Sequence, residues 1–203
     1  MSHYYTTDNN LASNIKEIEY TYRGNILKYL VDNGVFSKER VDFGTNILLQ
    51  NLPIFKDNSK VLDVGCGYGA IGLPIAKSNK TLLVEMVDVN LRAIELVKNN
   101  IKINKTFNAT VYESNLYENV KGTYDYIISN PPIRAGKKIV FGVIDQGFEH
   151  LVNNGEIYVV IQKKQGAPSL QKEMELVFGN AEIIAKESGY FIIKSIKKNN
   201  QVN

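Results

Sequence analysis

The tetrapeptide Asn130-Pro131-Pro132-Ile133 restricts the chemistry of this chain more narrowly than any other stretch. Two successive prolines fix φ and remove two N–H donors, so the carbonyl of Pro131 points where the ring closure forces it. Beside it lies the Asn130 side-chain oxygen. Two fixed acceptors side by side suit an amine that carries two hydrogens and must turn its nitrogen lone pair toward an electrophile. Holding both N–H groups favours a pyramidal nitrogen and stabilises the positive charge that grows during attack. A rigid turn after a strand is the bland use of the same residues, and the glycine motif upstream argues against it. Asn130, Pro131 and Pro132 are therefore the candidate catalytic residues.

The second chemical stretch is VLDVGCGYGAIG, residues 61–72. Apolar residues interrupted by Asp63 read as a buried parallel strand, broken at once by Gly65, Gly67 and Gly69. Glycines two apart let the backbone turn with positive φ and leave bare amides for a ligand. Asp88 follows about 20 residues later, at the end of another apolar strand, where a nucleotide ribose needs an acidic partner. Asp63 cannot be a neutral bystander. A carboxylate inside an apolar strand needs a donor to offset its desolvation, and the expected donors are the amides of the glycine turn or a ligand amino group. Cys66, the only cysteine, cannot form an internal disulfide; in the turn it reads as a small polarizable wall residue and not a nucleophile.

The elements that must position these residues follow in order. Residues 1–14 read as a polar tail. Alternating Ile18, Tyr20 and Tyr22 break at Arg23-Gly24-Asn25 and resume as ILKYLVD, a hairpin. Tyr20, Tyr22 and Tyr29 have faces that could stack on bases, but alternation favours packing. Asn33-Gly34 makes a second turn, and Thr45 is the expected cap of a helix ending before Pro53. Lys60 to Val64 is the first core strand, and Pro74 requires the next helix to start near Ile71. Strands are expected over 81–89, 108–112, 124–129 and 155–161. Asn90 caps a helix carrying Ile94, Val97 and Ile101. A helix from about Lys138 to Val152 carries Val140, Ile144, Phe148 and Leu151 on one face and ends at Asn153-Asn154-Gly155. The basic loop QKKQGAP leads to Ser169 as the cap of a helix through Phe178, closed by Gly179. Two final strands around Ser188-Gly189 are too close for a crossover, so they must be antiparallel.

Alternating strands and helices give a doubly wound α/β sheet, and the terminal hairpin adds one reversed strand. The strand count and this ending resemble the class I S-adenosylmethionine methyltransferase fold, a Rossmann-like seven-stranded sheet with an antiparallel terminal strand. Residues 1–55 are the expected tail, hairpin and leading helix, packed on a methyltransferase domain of residues 56–203 as one structural unit. On such a sheet the ligand lies at the carboxyl ends of the strands. Asp88, with Val89 beside it, then accepts from both ribose hydroxyls, and the glycine turn with Cys66 holds the methionine part. Ser114-Asn115-Leu116 meets the adenine, Asn115 at its edge and Leu116 on its face. Asn130 borders the cofactor as well as the amine.

The composition sets outer bounds. At 203 residues the chain suits one sizeable core, and its net charge of +3 and isoelectric point near 8.7 tolerate nucleic acid without arguing for it. There is no apolar run of membrane-spanning length and no basic-then-apolar leader at Met1, so the expectation is a soluble cytoplasmic protein, a monomer by default. His3 and His150 are remote from every motif, and neither metal nor histidine chemistry is assigned.

Taken together, GVFSKERVDFGT, VLDVGCGYGAIG, ISNPPIRAGKK, VVIQKKQGAPS and the FGNAEIIAKESGYFIIKS ending resemble the small-subunit ribosomal RNA guanine-N2 methyltransferases, including their short single-domain branch. The likeness covers most of the chain, and NPPIRAGK followed by QKKQGAPS is its narrowest part. It implies cofactor at Asp63, Gly65, Gly67, Asp88 and Asn115, and a target guanine amine at Asn130 and Pro131, with ribosomal RNA or the small subunit as partner. Ile133 stands where many NPP enzymes carry Phe or Tyr, so base stacking there is weaker and is left for another side chain to supply. Arg134, Lys137 and Lys138 follow the NPP turn, and Lys163 and Lys164 follow the fifth strand; flanking the pocket, they suit phosphates. With the NPP geometry alone, adenine N6 or a protein glutamine amide remains an equal acceptor. A non-catalytic RNA-binding module of the same fold is the reading from another class, and intact Asp88 and Asn130 argue against it.

Overall fold

The structure is a computed structural model that describes residues 13–35, 37 and 39–198. Residues 1–12 of the expected tail, with His3, lie outside these, as do Phe36 and Lys38 of the GVFSKERVDFGT stretch. The remaining two tail residues are anchored. Ser13 Oγ and the Asn14 amide donate to the Asp32 carboxylate at 2.9 and 2.6 Å.

Strands β1 (Lys16–Tyr22) and β2 (Asn25–Val31) form the hairpin, joined by Arg23 and Gly24 with φ of 46° and 76°. Two consecutive positive φ values give a turn whose twist matches that of the strands. Helix α1 (Phe43–Asn51) follows, then β3 (Lys60–Val64), α2 (Gly72–Ser78), β4 (Leu83–Asp88), α3 (Leu91–Asn104), β5 (Ala109–Glu113) and β6 (Tyr124–Ser129). The chain finishes with α4 (Lys137–His150), β7 (Leu151–Gln162), α5 (Ala167–Phe178), β8 (Glu182–Glu187) and β9 (Tyr190–Ile196).

Seven strands form one sheet in the order β5-β4-β3-β6-β7-β9-β8, and β9 alone runs against the rest. The chain moves outward from β3 to β5, then returns to add β6 on the other side of β3. This reversal places the topological switch between β3 and β6, which pair in parallel at Val61–Tyr126 through Asp63–Ile128. Strands buried on both faces read as near-continuous apolar runs. In β7, Tyr158 and Val160 enter the cluster formed with the hairpin, α1 and α2, while Ile157, Val159 and Ile161 enter the cluster with α4 and α5. Tyr22 and Tyr29 are buried in the first cluster, and Tyr20 donates to Asn46 Oδ1 at 2.9 Å, so these tyrosines pack.

A two-stranded hairpin is marginal alone. Here its outer edge is completed by two amides one turn apart on α3. Asn104 accepts from Lys28 N at 2.9 Å and donates to Lys28 O at 2.7 Å; Asn100 does the same for Leu30 at 2.7 and 3.1 Å. The side chains thereby stand in for a third strand.

Three boundaries differ from the sequence reading. Asp42, not Thr45, caps α1: its Oδ2 accepts from Thr45 N at 3.3 Å, which puts Thr45 inside the first turn and buries it. Helix α4 ends at His150, and Leu151 already pairs with Tyr124 as the first residue of β7. Asn153-Asn154-Gly155 is an irregularity within that strand, where Asn154 (φ 61°) and Gly155 bond to the backbone of Lys197. Helix α5 begins at Ala167, because Pro168 must sit in the first turn; Ser169 lies within that turn and Gly166 occupies the cap position.

Candidate active site

The carboxyl ends of β3, β4, β5 and β6 open onto one cavity of about 460 Å³. Gly65, Cys66, Gly67, Asp88, Val89, Ser114, Asn115, Leu116, Asn130, Pro131, Pro132, Ile133 and Arg134 all line it. The carboxylate at 88 and the amide at 130 therefore share a cavity across the switch point.

The glycine turn is hung from the end of β4: Gly65 N and Cys66 N both donate to Val87 O, at 2.9 and 3.0 Å. Gly65 and Gly67 have φ of 76° and 55°, and a Cβ at Gly67 would meet nothing within 4 Å. Glycine is needed there for conformation, and the space beyond it is left to a ligand. Gly69 has a different task. It does not line the cavity, and a Cβ on it would lie 2.7 Å from Leu73 Cδ1, so it permits close packing of the turn on α2.

Asp88 Oδ2 accepts from Gly67 N at 2.8 Å and Oδ1 from Asn90 N at 2.9 Å. A carboxylate has about four lone-pair sites, so acceptor capacity remains beside these amides. Burial raises its pKa above the ordinary carboxylate value, opposed by the amides of Asn90, Gly67 and Val89. Asp63 is fully buried and does not line the cavity. Its Oδ2 accepts from Gly72 N at 2.8 Å, so the donor is the first residue of α2 and not the glycine turn. Its Oδ1 has no partner among the described residues, and burial pushes the pKa up to about 7. Cys66 is buried and its thiol pKa is driven well above the usual value by burial, which keeps it protonated and unreactive.

Ser114 is occupied internally: its hydroxyl donates to Leu116 O at 2.9 Å and accepts from Asn119 N at 3.0 Å. This holds Leu116 at φ 53° on the cavity wall, and a Cβ at Gly142 of α4 would come within 2.5 Å of Leu116 Cδ1. Asn130 is held by a segment far away in sequence. Its Nδ2 donates to Thr45 Oγ1 at 2.9 Å and to Asp42 Oδ2 at 3.2 Å, which leaves Oδ1 as the atom without a donor among the described residues. Ser129 Oγ, donating to Val64 O at 2.8 Å, ties the strand ends of β6 and β3 together beneath it.

The basic residues divide. Arg134 is on the cavity wall, but Lys137 lies with its ammonium 4.6 Å over the Phe141 ring, and Lys138, Lys163 and Lys164 do not line the cavity. Lys163 and Lys164 are exposed in the turn after β7, whose neighbours Gln162 and Gln165 do reach the cavity. Sequence reasoning missed Asp42, Thr45, Gln162 and Tyr190 as wall residues. Thr45 was legible only as a helix-cap candidate, and nothing in local spacing joins Gln162 to Tyr190. His150 stacks on Tyr117 and bonds Gly122 O, away from the cavity. Among the described residues no group of three or more His, Cys, Asp or Glu could hold a metal, and no helix is long and apolar enough to cross a membrane.

This sheet order, its one reversed strand and the motifs at the switch point define an S-adenosylmethionine-dependent methyltransferase of the class I fold. The chain belongs to the methyltransferase small domain family, which it matches over residues 27–194. It is 42% identical to the uncharacterized protein YbxB of Bacillus subtilis (strain 168), over 96% of this chain and 98% of that protein. It is 35% identical to the ribosomal RNA small subunit methyltransferase C of Haemophilus influenzae (strain 86-028NP), over 81% of this chain but 49% of that protein. The chain thus spans about half the length of the methyltransferase C relatives it matches. In structure it is similar to RsmC, a 16S rRNA N2 methyltransferase of T. thermophilus solved with AdoMet and guanosine. That likeness has a TM-score of 0.83 at 23% identity and covers 93% of this chain and 52% of the other.

Proposed function

We propose that this protein transfers a methyl group from S-adenosylmethionine to an exocyclic amine of RNA, guanine N2 of small-subunit ribosomal RNA. The observation that carries this reading is the single cavity lined by both Asp88 and Asn130, with the Asn130 amide nitrogen tied back so that its oxygen is the free group.

The residues present fit the cofactor. Asp88 retains acceptor capacity for a ribose hydroxyl, Gly67 leaves open space against bare backbone, and Asn115 with Leu116 offers an edge and a face to adenine. The orphan Oδ1 of Asp63, beneath the turn, is a polar atom that no described residue satisfies. When bound, S-adenosylmethionine supplies a methyl group already activated by its sulfonium. The chain's own work is positioning. Asn130 Oδ1 and the Pro131 carbonyl accept the two N–H groups of the amine, aim its lone pair at the methyl carbon, and stabilise positive charge on nitrogen as the bond forms. The proton shed afterwards leaves to water, so no histidine or metal is needed.

RNA as acceptor is supported by the named relatives and by the basic groups near the mouth. Arg134 on the wall, with Lys163 and Lys164 beyond β7, would meet phosphates, and a base must be unstacked to enter, at least cost from a loop. The test is methyl transfer from labelled S-adenosylmethionine to small-subunit ribosomal RNA, bare and assembled, followed by mass spectrometry of the nucleosides. N2-methylguanosine is expected. N6-methyladenosine, or label found only in protein glutamine, would replace the acceptor, and cofactor binding without any transfer would overturn the enzyme reading.

A further inference from the structure

The cavity extends beyond the residues that the cofactor and the amine account for. Asp88 on β4 and Asn115 after β5 lie to one side of β3, while Asn130 stands at the end of β6 on the other. Past β6 the same cavity continues over the ends of β7 and β9, where its wall is Gln162 and Tyr190, directly paired in the sheet. At about 4.8 Å per strand, this stretch adds roughly 10 Å beyond Asn130, the length of a purine base.

Tyr190 is built into place from three directions. Gln162 Nε2 donates to its hydroxyl at 2.6 Å. The first turn of α1 lies flush against its ring: a Cβ at Gly44 would be 2.7 Å from Tyr190 Cε1 and 3.0 Å from Cδ1. Phe43 meets it edge-on, with centroids 5.7 Å apart, yet stays 42% exposed. An aromatic ring so fixed, half-buried and on a cavity wall is a platform for another flat group.

Its polar end is equally defined. Because the tyrosine oxygen accepts from Gln162, its own O–H remains available to donate, and Gln162 Oε1 remains available to accept; neither has another partner among the described residues. A guanine that presents N2 to Asn130 carries N1–H next along the same edge, then O6: a donor followed by an acceptor. An adenine that presents N6 carries a bare N1 acceptor next. We infer that Tyr190 and Gln162 form the acceptor-base subsite, Tyr190 packing on the base and Gln162, held by its bond to the Tyr190 hydroxyl, selecting guanine over adenine through Oε1, which accepts from N1–H. This assignment rests on the reading of the protein as an RNA amine methyltransferase.

It is tested with Tyr190→Phe, which keeps the ring, Gln162→Leu, which removes the amide, and Tyr190→Ala, which removes the platform. Each is assayed for methyl transfer to small-subunit ribosomal RNA and for binding of S-adenosylhomocysteine by calorimetry, with thermal unfolding as the check on folding. Cofactor affinity should stay within about twofold in all three. The value of kcat/KM should fall about tenfold or more in Tyr190→Phe and Gln162→Leu, chiefly through KM, and further in Tyr190→Ala. Gln162→Leu should also raise the ratio of N6-methyladenosine to N2-methylguanosine. Variants that bind cofactor and match the wild-type kcat/KM within twofold would overturn the subsite while leaving the proposed function intact. A wild-type protein that methylates no RNA would remove the proposed function, and the subsite with it.

Discussion

Thr45 Oγ1 accepts a hydrogen bond from Asn130 Nδ2 at 2.9 Å, across 85 residues of chain. An asparagine amide has two faces of opposite hydrogen-bonding sense, and only the oxygen suits a substrate amine. Thr45 and Asp42 together decide which face is presented. Thr45→Val should therefore leave cofactor affinity unchanged and lower kcat by about tenfold or more, with Thr45→Ser restoring most of it. Steady-state kinetics of methyl transfer measure both. Equal kcat in Thr45→Val and wild type would show that the amide is oriented without this contact.

Asp88 has a double load, fixing the glycine turn through Gly67 and offering its remaining lone pairs to the cavity. A charge-assisted hydrogen bond contributes about 1.5–3 kcal/mol, so Asp88→Asn should weaken S-adenosylhomocysteine binding roughly 10- to 150-fold. Isothermal calorimetry at constant pH gives the value directly. The protein should remain folded, since Asn retains one acceptor for the turn.

The buried carboxyl of Asp63 makes stability depend on pH. Burial is the main reason its pKa sits near 7, opposed by the Gly72 N–H and reinforced by the charge on Asp88. Between about pH 4 and 7 the native state keeps a proton that the unfolded chain has released, so this group favours folding fully below about pH 4 and loses that contribution as pH rises through 7. Burial raises Asp88 in the same direction. In Asp63→Asn, Gly72 keeps an acceptor and the ionisation is gone. Urea midpoints of the cofactor-free protein should thus gain on those of wild type as pH is raised from 5 to 8, and parallel profiles would contradict the assignment.

Asn100 offers a purely structural test. Buried, it serves Leu30 N, Leu30 O and Tyr68 O at once. Asn100→Ala strands those groups, and with about 1–3 kcal/mol for each buried orphan, partly relieved by relaxation, the loss should be about 2–4 kcal/mol. Chemical denaturation reports it, and hydrogen exchange should localise the weakening to β2.

The architecture was legible because its signals are local. Strands 124–129 and 60–64, the caps at Asn90 and Gly179, the late start of α2 before Pro74 and the terminal antiparallel pair each follow from a few adjacent residues and their spacing. The three misread boundaries have a common cause: Asn153-Asn154-Gly155, Ser169 and Thr45 are good turn or cap residues locally, but pairing with Lys197, a proline and a better cap at Asp42 decide otherwise. The glycine turn, Asp88 and the NPP turn could be expected at one sheet edge from strand order alone. The contacts of Asn130 with Asp42 and Thr45, and of Tyr190 with Gln162 and Gly44, depend on how distant segments dock, which periodicity does not encode.

The hairpin whose edge is completed by Asn100 and Asn104 emerges from the ribosome some 70 residues before the side chains it needs. At 5–20 residues per second, that gap is roughly 4 to 14 s of translation. During this interval the outer edge of β2 lacks the side chains that complete it, and the following segment that carries Asp42 and Thr45 has no Asn130 to hold. The contact that fixes the Asn130 amide therefore closes only after synthesis has passed residue 130, so the leading hairpin and α1 wait on the body of the chain for both their edge and their partner in the cavity.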